Sequence, residues 1–269
     1  MTGVQTCALP ISRTEIQKRE RVEKIEKISQ IRFENVTFSY IGNEKVIDRV
    51  SFGVKAGEMV AVVGPTGSGK TTLVNLIPRF YEPDSGKILV NGRDIREYSI
   101  ASLRSKMALV TQDPFLFSES VSRNIFNGES NLTEKQKDEI LREANCKRVI
   151  ERLSNGLDTV LSEGGASISS GERQLISIAR AFARDPELII LDEATSYIDS
   201  ETEQKLQEAI ANLMENRTSI VVAHRLTTAR NADRIIFLHR GRVIETGPHD
   251  ELMQKKGFYY KLNQLQAQV

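Results

Sequence analysis

Gly64-Pro65-Thr66-Gly67-Ser68-Gly69-Lys70-Thr71 sets glycines, a lysine and a hydroxyl at the spacing GxxxxGK[ST], an arrangement suited to surrounding a phosphate with donors. Glycine at 64, 67 and 69 opens backbone angles closed to other residues, so consecutive N–H groups can turn inward as a nest for phosphate oxygens. Lys70 has the reach for the β and γ phosphates of a nucleoside triphosphate. Thr71 offers a hydroxyl to Mg²⁺, and a helix opening there turns a partial charge of roughly +0.5 toward the anion. The whole stretch Gly64, Pro65, Thr66, Gly67, Ser68, Gly69, Lys70, Thr71 and Thr72 is assigned to nucleotide binding. The apolar run Met59–Val63 immediately before it reads as a buried strand, the context the pattern requires.

A second apolar run, Leu188-Ile189-Ile190-Leu191, leads into Asp192-Glu193 and brings the paired carboxylates out at the C-terminal end of another buried strand. In doubly wound sheets ligands bind at that edge. Asp192 is suited to hold Mg²⁺, and Glu193 to orient or deprotonate the water that attacks a γ phosphate. Taken alone, an acidic pair after a strand is often only a helix N-terminus; beside a phosphate loop it acquires a partner.

The residues between decide which kind of nucleotide enzyme is meant. Ile168-Ser169-Ser170-Gly171-Glu172-Arg173-Gln174 resembles the LSGGQ-type signature of ABC ATPases, with Ile168, Ser170 and Glu172 departing from the pattern. Tyr40 matches the aromatic of the A-loop, Gln112 the Q-loop, Ser196-Tyr197-Ile198-Asp199 the D-loop and His224 the switch histidine. Ser162-Glu163-Gly164-Gly165 resembles the segment that precedes the signature in exporters. The similarity covers about residues 30 to 265.

That resemblance implies ATP and Mg²⁺ as ligands and roles for the remaining residues. Tyr40 would stack on adenine, a contact of roughly 1–3 kcal/mol by analogy with base stacking on aromatics. Gln112 would reach Mg²⁺ or the attacking water, and His224 would hydrogen-bond the γ phosphate and keep Glu193 aligned. The catalytic set is then Glu193, His224 and Gln112, and the metal set Thr71, Gln112 and Asp192. Ser169, Ser170 and Gly171, with Asp199, would bind the ATP held by a second ABC ATPase domain in a head-to-tail dimer.

The elements around these residues follow from periodicity. Ile31–Val36 and Val46–Val54 alternate like half-buried strands and Arg234–Leu238 with Arg242–Glu245 reads as a closing hairpin. Thr133 and Gln136 form a capping box, Ser200 and Glu203 cap another helix, and a helix is expected from Glu172 to Arg184. The expected fold class is α/β: a P-loop NTPase (RecA-like) core with an N-terminal antiparallel β subdomain and an inserted α-helical subdomain at about 114–170, of ABC ATPase type. Phe115-Leu116-Phe117 reads equally well as core packing or as the place where the family docks the coupling helices of a membrane domain. His239 and His249 read as surface histidines.

With 269 residues, 27% charged and a net charge of +1, composition fits an ordinary globular domain and makes no electrostatic case for nucleic acid. No apolar run approaches the roughly 20 residues needed to cross a bilayer, and Cys7 and Cys146 form no disulfide framework or metal cluster. Met1–Ile11 resembles the translation of a sequencing-adapter oligonucleotide, so residues 1–12 are set apart as an artefact, 13–29 as a linker from a missing transmembrane domain, and 30–269 as the ATPase domain. The resemblance implies ATP hydrolysis at the cytoplasmic face of the cell membrane, powering an exporter-type half-transporter. A separately encoded subunit docking on a permease, or a soluble ABC protein acting on DNA or ribosomes, are the alternatives.

Overall fold

A computed structural model describes residues 23–40, 42, 44–111, 113–127, 131–192, 200–223 and 226–266. In chain order the strands and helices are β1 (Gln30–Phe38), β2 (Ile47–Lys55), β3 (Met59–Val63), α1 (Lys70–Asn75), β4 (Ser85–Val90), β5 (Arg93–Asp94), α2 (Ile100–Ser105) and β6 (Met107–Val110). There follow α3 (Val121–Phe126), α4 (Glu134–Glu143), α5 (Lys147–Arg152), α6 (Ser170–Ala183), β7 (Leu188–Asp192), α7 (Ser200–Met214), β8 (Thr218–Val222) and α8 (Leu226–Arg230). The described chain closes with β9 (Arg234–His239), β10 (Arg242–Gly247), α9 (His249–Lys255) and α10 (Phe258–Gln266).

The strands form two sheets. One is antiparallel, in the order β2-β1-β4-β5; the other runs β10-β9-β3-β8-β7-β6 and is parallel except for β10 at its edge. Its strands are continuous apolar runs because both faces are covered. Val60, Val62, Ile190, Ile220, Val222, Ile236 and Leu238 face one core, shared with the antiparallel sheet and α1. Ala61, Val63, Ala108, Val110, Ile189, Leu191, Val221 and Phe237 face a second core, filled by the helices. The expected helical insert contributes Leu116, Val121, Ile125, Leu141, Val149, Ile150 and Ile168 to this second core, so it is continuous with the sheet.

Register places the chemistry at one edge. Val62 pairs with Val222, and Val222 pairs with Asp192, so the strand entering the phosphate loop and the strand ending in the carboxylate flank β8 at the same height. Two strand spacings separate them, about 10 Å.

Boundaries shift in places. The helix expected from Glu172 begins at Ser170, with Ser169 as its cap, because Glu172 completes a capping box with that serine. Ser200, expected to cap α7, is already helical. The chain is also packed before Gln30. Ile25 and Ile28 are buried in the core shared with the antiparallel sheet, the Ile25 N–H donates to Ser102 Oγ (2.8 Å) and the Ile28 N–H to Glu187 Oε2 (2.5 Å). Residues 23–29 of the expected linker therefore lie on the domain as a strap. Among the described residues no helix is long and apolar enough to cross a membrane.

Candidate functional site

β3 delivers the chain into the phosphate loop against its neighbours. At Gly64 (φ 152°) a Cβ would collide with the Leu238 carbonyl of β9, and at Gly69 (φ 100°) it would stand 2.8 Å from the Val46 carbonyl. These two glycines let the loop lie flat on β9 and on the start of β2. The space beside Gly67 is open. Lys70 folds back under the loop, its Nζ donating to the carbonyls of Gly64 (2.9 Å) and Pro65 (3.0 Å). Its side chain is buried, which pushes the ammonium below its ordinary pKa, while the Asp192 carboxylate acts in the opposite direction. A partly desolvated cation beneath a glycine-rich loop is a preorganised anion receptor. Ser68 Oγ is buried there with no hydrogen-bond partner among the described residues, as a hydroxyl awaiting a ligand oxygen would be. Thr66, Gly67 and Thr71 are exposed at the mouth.

Tyr40 lies beyond the end of β1 with 49% of its surface exposed. Its hydroxyl meets Thr72 Oγ1 at 3.0 Å, and its ring is edge-on to both Phe38 and Tyr81. The Thr72 side chain is buried under this contact and supports the site from behind.

Ser169 caps α6 reciprocally with Glu172: Ser169 Oγ accepts from the Glu172 N–H (3.2 Å) and Glu172 Oε2 accepts from the Ser169 N–H (2.9 Å). Ile168, another departure from the family pattern, is a core residue whose carbonyl accepts from Arg173 Nη1 at 3.0 Å. Ser169 is exposed and Ser170 half-buried, so the helix start faces outward, while Gly171 is buried. Among the hydrogen bonds of the described residues, none joins Ser169, Ser170 or Gly171 to residues 64–72.

Gln112, Glu193, Asp199 and His224 lie outside the described residues. What is described beside them is the sheet edge: β6 ends at Val110, β7 at Asp192 and β8 at Val222.

Sequence reasoning missed the buttress beneath the loop. The β9–β10 turn donates the Gly241 N–H to the Ser68 carbonyl (3.0 Å), and its own carbonyl accepts from the Asp48 N–H (2.9 Å). Asp48 Oδ2 then takes Nε of Arg242 at 2.8 Å, and this partner holds the carboxyl below its usual range. The only local signal was Arg240-Gly241, a hairpin turn with nothing to say which loop it would touch. His249 is also less bland than expected: its Nδ1 lies 2.8 Å from the hydroxyl of the fully buried Tyr259.

The sequence pattern of the family described as "ABC transporter" matches residues 47–196. A relative from Bacillus subtilis (strain 168), "Uncharacterized ABC transporter ATP-binding protein YfiC", is 47% identical over 93% of this chain and 42% of its own length. The "ATP-dependent lipid A-core flippase" of Syntrophus aciditrophicus (strain SB) is also 47% identical, over 94% of this chain and 42% of its own. Among solved structures, a bacterial Atm1-family ABC exporter with ATP bound superposes with a TM-score of 0.82 at 35% identity, covering 93% of this chain and 45% of that one. The chain thus spans less than half the length of these relatives.

Proposed function

The chain belongs to the ABC transporter family, and from that premise we propose that it binds and hydrolyses ATP to ADP and phosphate as the ATPase domain of an exporter-type half-transporter. The observation that carries this reading is Lys70, buried beneath the loop and held by the Gly64 and Pro65 carbonyls, where it would meet the β and γ phosphates of a bound nucleotide. The loop N–H groups and Lys70 bind the triphosphate, and Tyr40 takes the base. Glu193 orients or deprotonates the attacking water, with Gln112 and His224 aligning it. The Thr71 hydroxyl and Asp192, with Gln112, are oxygen donors of the kind Mg²⁺ takes. When bound, that ion supplies charge neutralisation on the β and γ oxygens.

The outward-facing start of α6 supports a head-to-tail partner: Ser169, Ser170, Gly171 and Asp199 reach ATP across the seam of a second ABC ATPase domain. A transmembrane domain, supplied by the remainder of a longer chain or by a partner subunit, places the site at the cytoplasmic face of the cell membrane.

The test is ATP turnover against protein concentration with Mg²⁺ for the full chain. Specific activity that rises with concentration, with Glu193→Gln abolishing most turnover but still binding ATP, is the expected result. Lys70→Ala should lose nucleotide binding itself. Turnover unchanged in Glu193→Gln, or wild-type affinity in Lys70→Ala, would overturn the reading.

A further inference from the structure

We propose that Tyr81 is a positioning residue for base recognition, fixing the ring of Tyr40 at the angle on which adenine stacks; this rests on reading the chain as an ATP site. Phe38, Tyr40 and Tyr81 form a closed triangle of rings. Centroids are 5.0 Å apart for Phe38 and Tyr40, 5.1 Å for Tyr40 and Tyr81, and 5.5 Å for Phe38 and Tyr81. Tyr40 is perpendicular to both neighbours, at 83° and 89°, the edge-to-face geometry that aromatic quadrupoles favour. Its hydroxyl is tied to Thr72 on α1.

The arrangement matters because of where Tyr40 stands. It lies in the β1–β2 connection, outside any strand, and is 49% exposed, so no sheet or core packing encloses its ring. A platform free to rotate must be ordered each time a base lands on it, and that ordering subtracts from affinity. The triangle has already ordered it. Phe38 is a core residue at 5% exposure, whereas Tyr81 leaves 42% of its surface in solvent. Burial alone does not account for an aromatic in that place; contact with the rings of Phe38 and Tyr40 does. Tyr81 stands directly after the turn in which the Phe80 N–H donates to the Asn75 carbonyl at the end of α1, while Thr72 lies within α1. Two of the three supports of the base platform, Tyr81 and Thr72, therefore belong to the same short segment as the phosphate receptor, which fixes the base and phosphate ends of the nucleotide relative to each other.

The experiment is calorimetric titration of the full chain with ATP and, separately, with inorganic tripolyphosphate, in EDTA so that nothing turns over. Tyr81→Leu should weaken ATP roughly three- to tenfold and leave tripolyphosphate unchanged. Tyr81→Phe, which keeps the ring, should restore ATP binding to within about twofold. In a Tyr40→Ala background Tyr81→Leu should cost nothing more, since its only route to the base is gone. Thr72→Val should lower ATP affinity in the same direction.

Tyr81→Leu binding ATP like the unaltered chain would overturn the proposal, as would an equal loss for tripolyphosphate or a loss that persists without Tyr40. An unaltered chain that holds ATP no tighter than tripolyphosphate would remove both the stacking role of Tyr40 and this proposal. Binding of neither ligand would sink the nucleotide-site reading itself.

Discussion

Arg180 donates from Nε to the carbonyl of Asn124 at 2.7 Å, while its Nη2 reaches the Asn124 side chain at 3.0 Å and its Nη1 the Phe115 carbonyl at 3.1 Å. Asn124 in turn accepts from the Phe117 N–H (2.9 Å) and donates to the Phe117 carbonyl (3.0 Å). The helix behind the signature is thereby bonded to the segment that presents Phe115 and Phe117, both more than half exposed. These bonds fix the aromatic pair to α6. Of the two readings open for Phe115-Leu116-Phe117, Leu116 is the core residue and the phenylalanines are the surface.

Replacing Arg180 with Met keeps the aliphatic stem but leaves these carbonyls without their donor. The expected cost is roughly 2–4 kcal/mol, since bonds to a charged group are the stronger kind and the two abandoned acceptors on Asn124 are partly buried. Burial pushes the guanidinium below its ordinary pKa; Lys offers one point charge where Arg180 uses three nitrogens of a planar fork, so it should rescue only in part. Urea unfolding of the three proteins measures this.

The strap predicts where a stable domain begins. Ile28 is 2% exposed, and Ile28→Ala should cost about 2–4 kcal/mol of stability. A chain starting at residue 30, the boundary expected from pattern alone, should melt lower than one starting at residue 23, because it lacks both Ile25 and Ile28. Equal melting temperatures would show that the strap contributes nothing.

Gly241 sits at φ 73° and a Cβ there would collide with the Val46 carbonyl, immediately beneath the phosphate loop. Gly241→Ala should cost about 1–3 kcal/mol and weaken both ATP and tripolyphosphate, since the turn holds the Ser68 carbonyl. Gly57→Ala is the control: φ is 75° but nothing lies within 4 Å, so its strain should leave nucleotide affinity unchanged.

Asp48 links β2 to β10 through Arg242, whose hydrogen bond holds the carboxyl below its ordinary range. A carboxylate with a depressed folded pKa contributes stability that is fully present above the unfolded value, near pH 4, and lost as pH falls through the folded one. Asp48→Asn should therefore narrow the gap in stability between pH 6 and pH 3 relative to the unaltered chain. Thermal melts across that range measure the difference.

Much of this was legible locally. The phosphate loop after Met59–Val63, the carboxylate after Leu188–Leu191 and the hairpin near Arg240-Gly241 each depend on residues a few positions apart, and periodicity with glycine chemistry finds them. The capping box of Ser169 and Glu172 was written in the chain as plainly as that of Thr133 and Gln136. The same Glu172 is also a departure from the family pattern, so one short stretch carries both meanings.

The sequence by itself determined the order of the motifs, the strands and helices that end in them, and the family. Only the tertiary structure decided what supports them: Gly241 under Ser68, Tyr81 against Tyr40, Arg180 on Asn124, and Ile28 beside Glu187. Each of these pairs joins residues dozens to well over a hundred positions apart. Such contacts depend on which sheet edge or helix end meets which loop, and that outcome follows from burying two faces of one sheet at once rather than from any spacing along the chain.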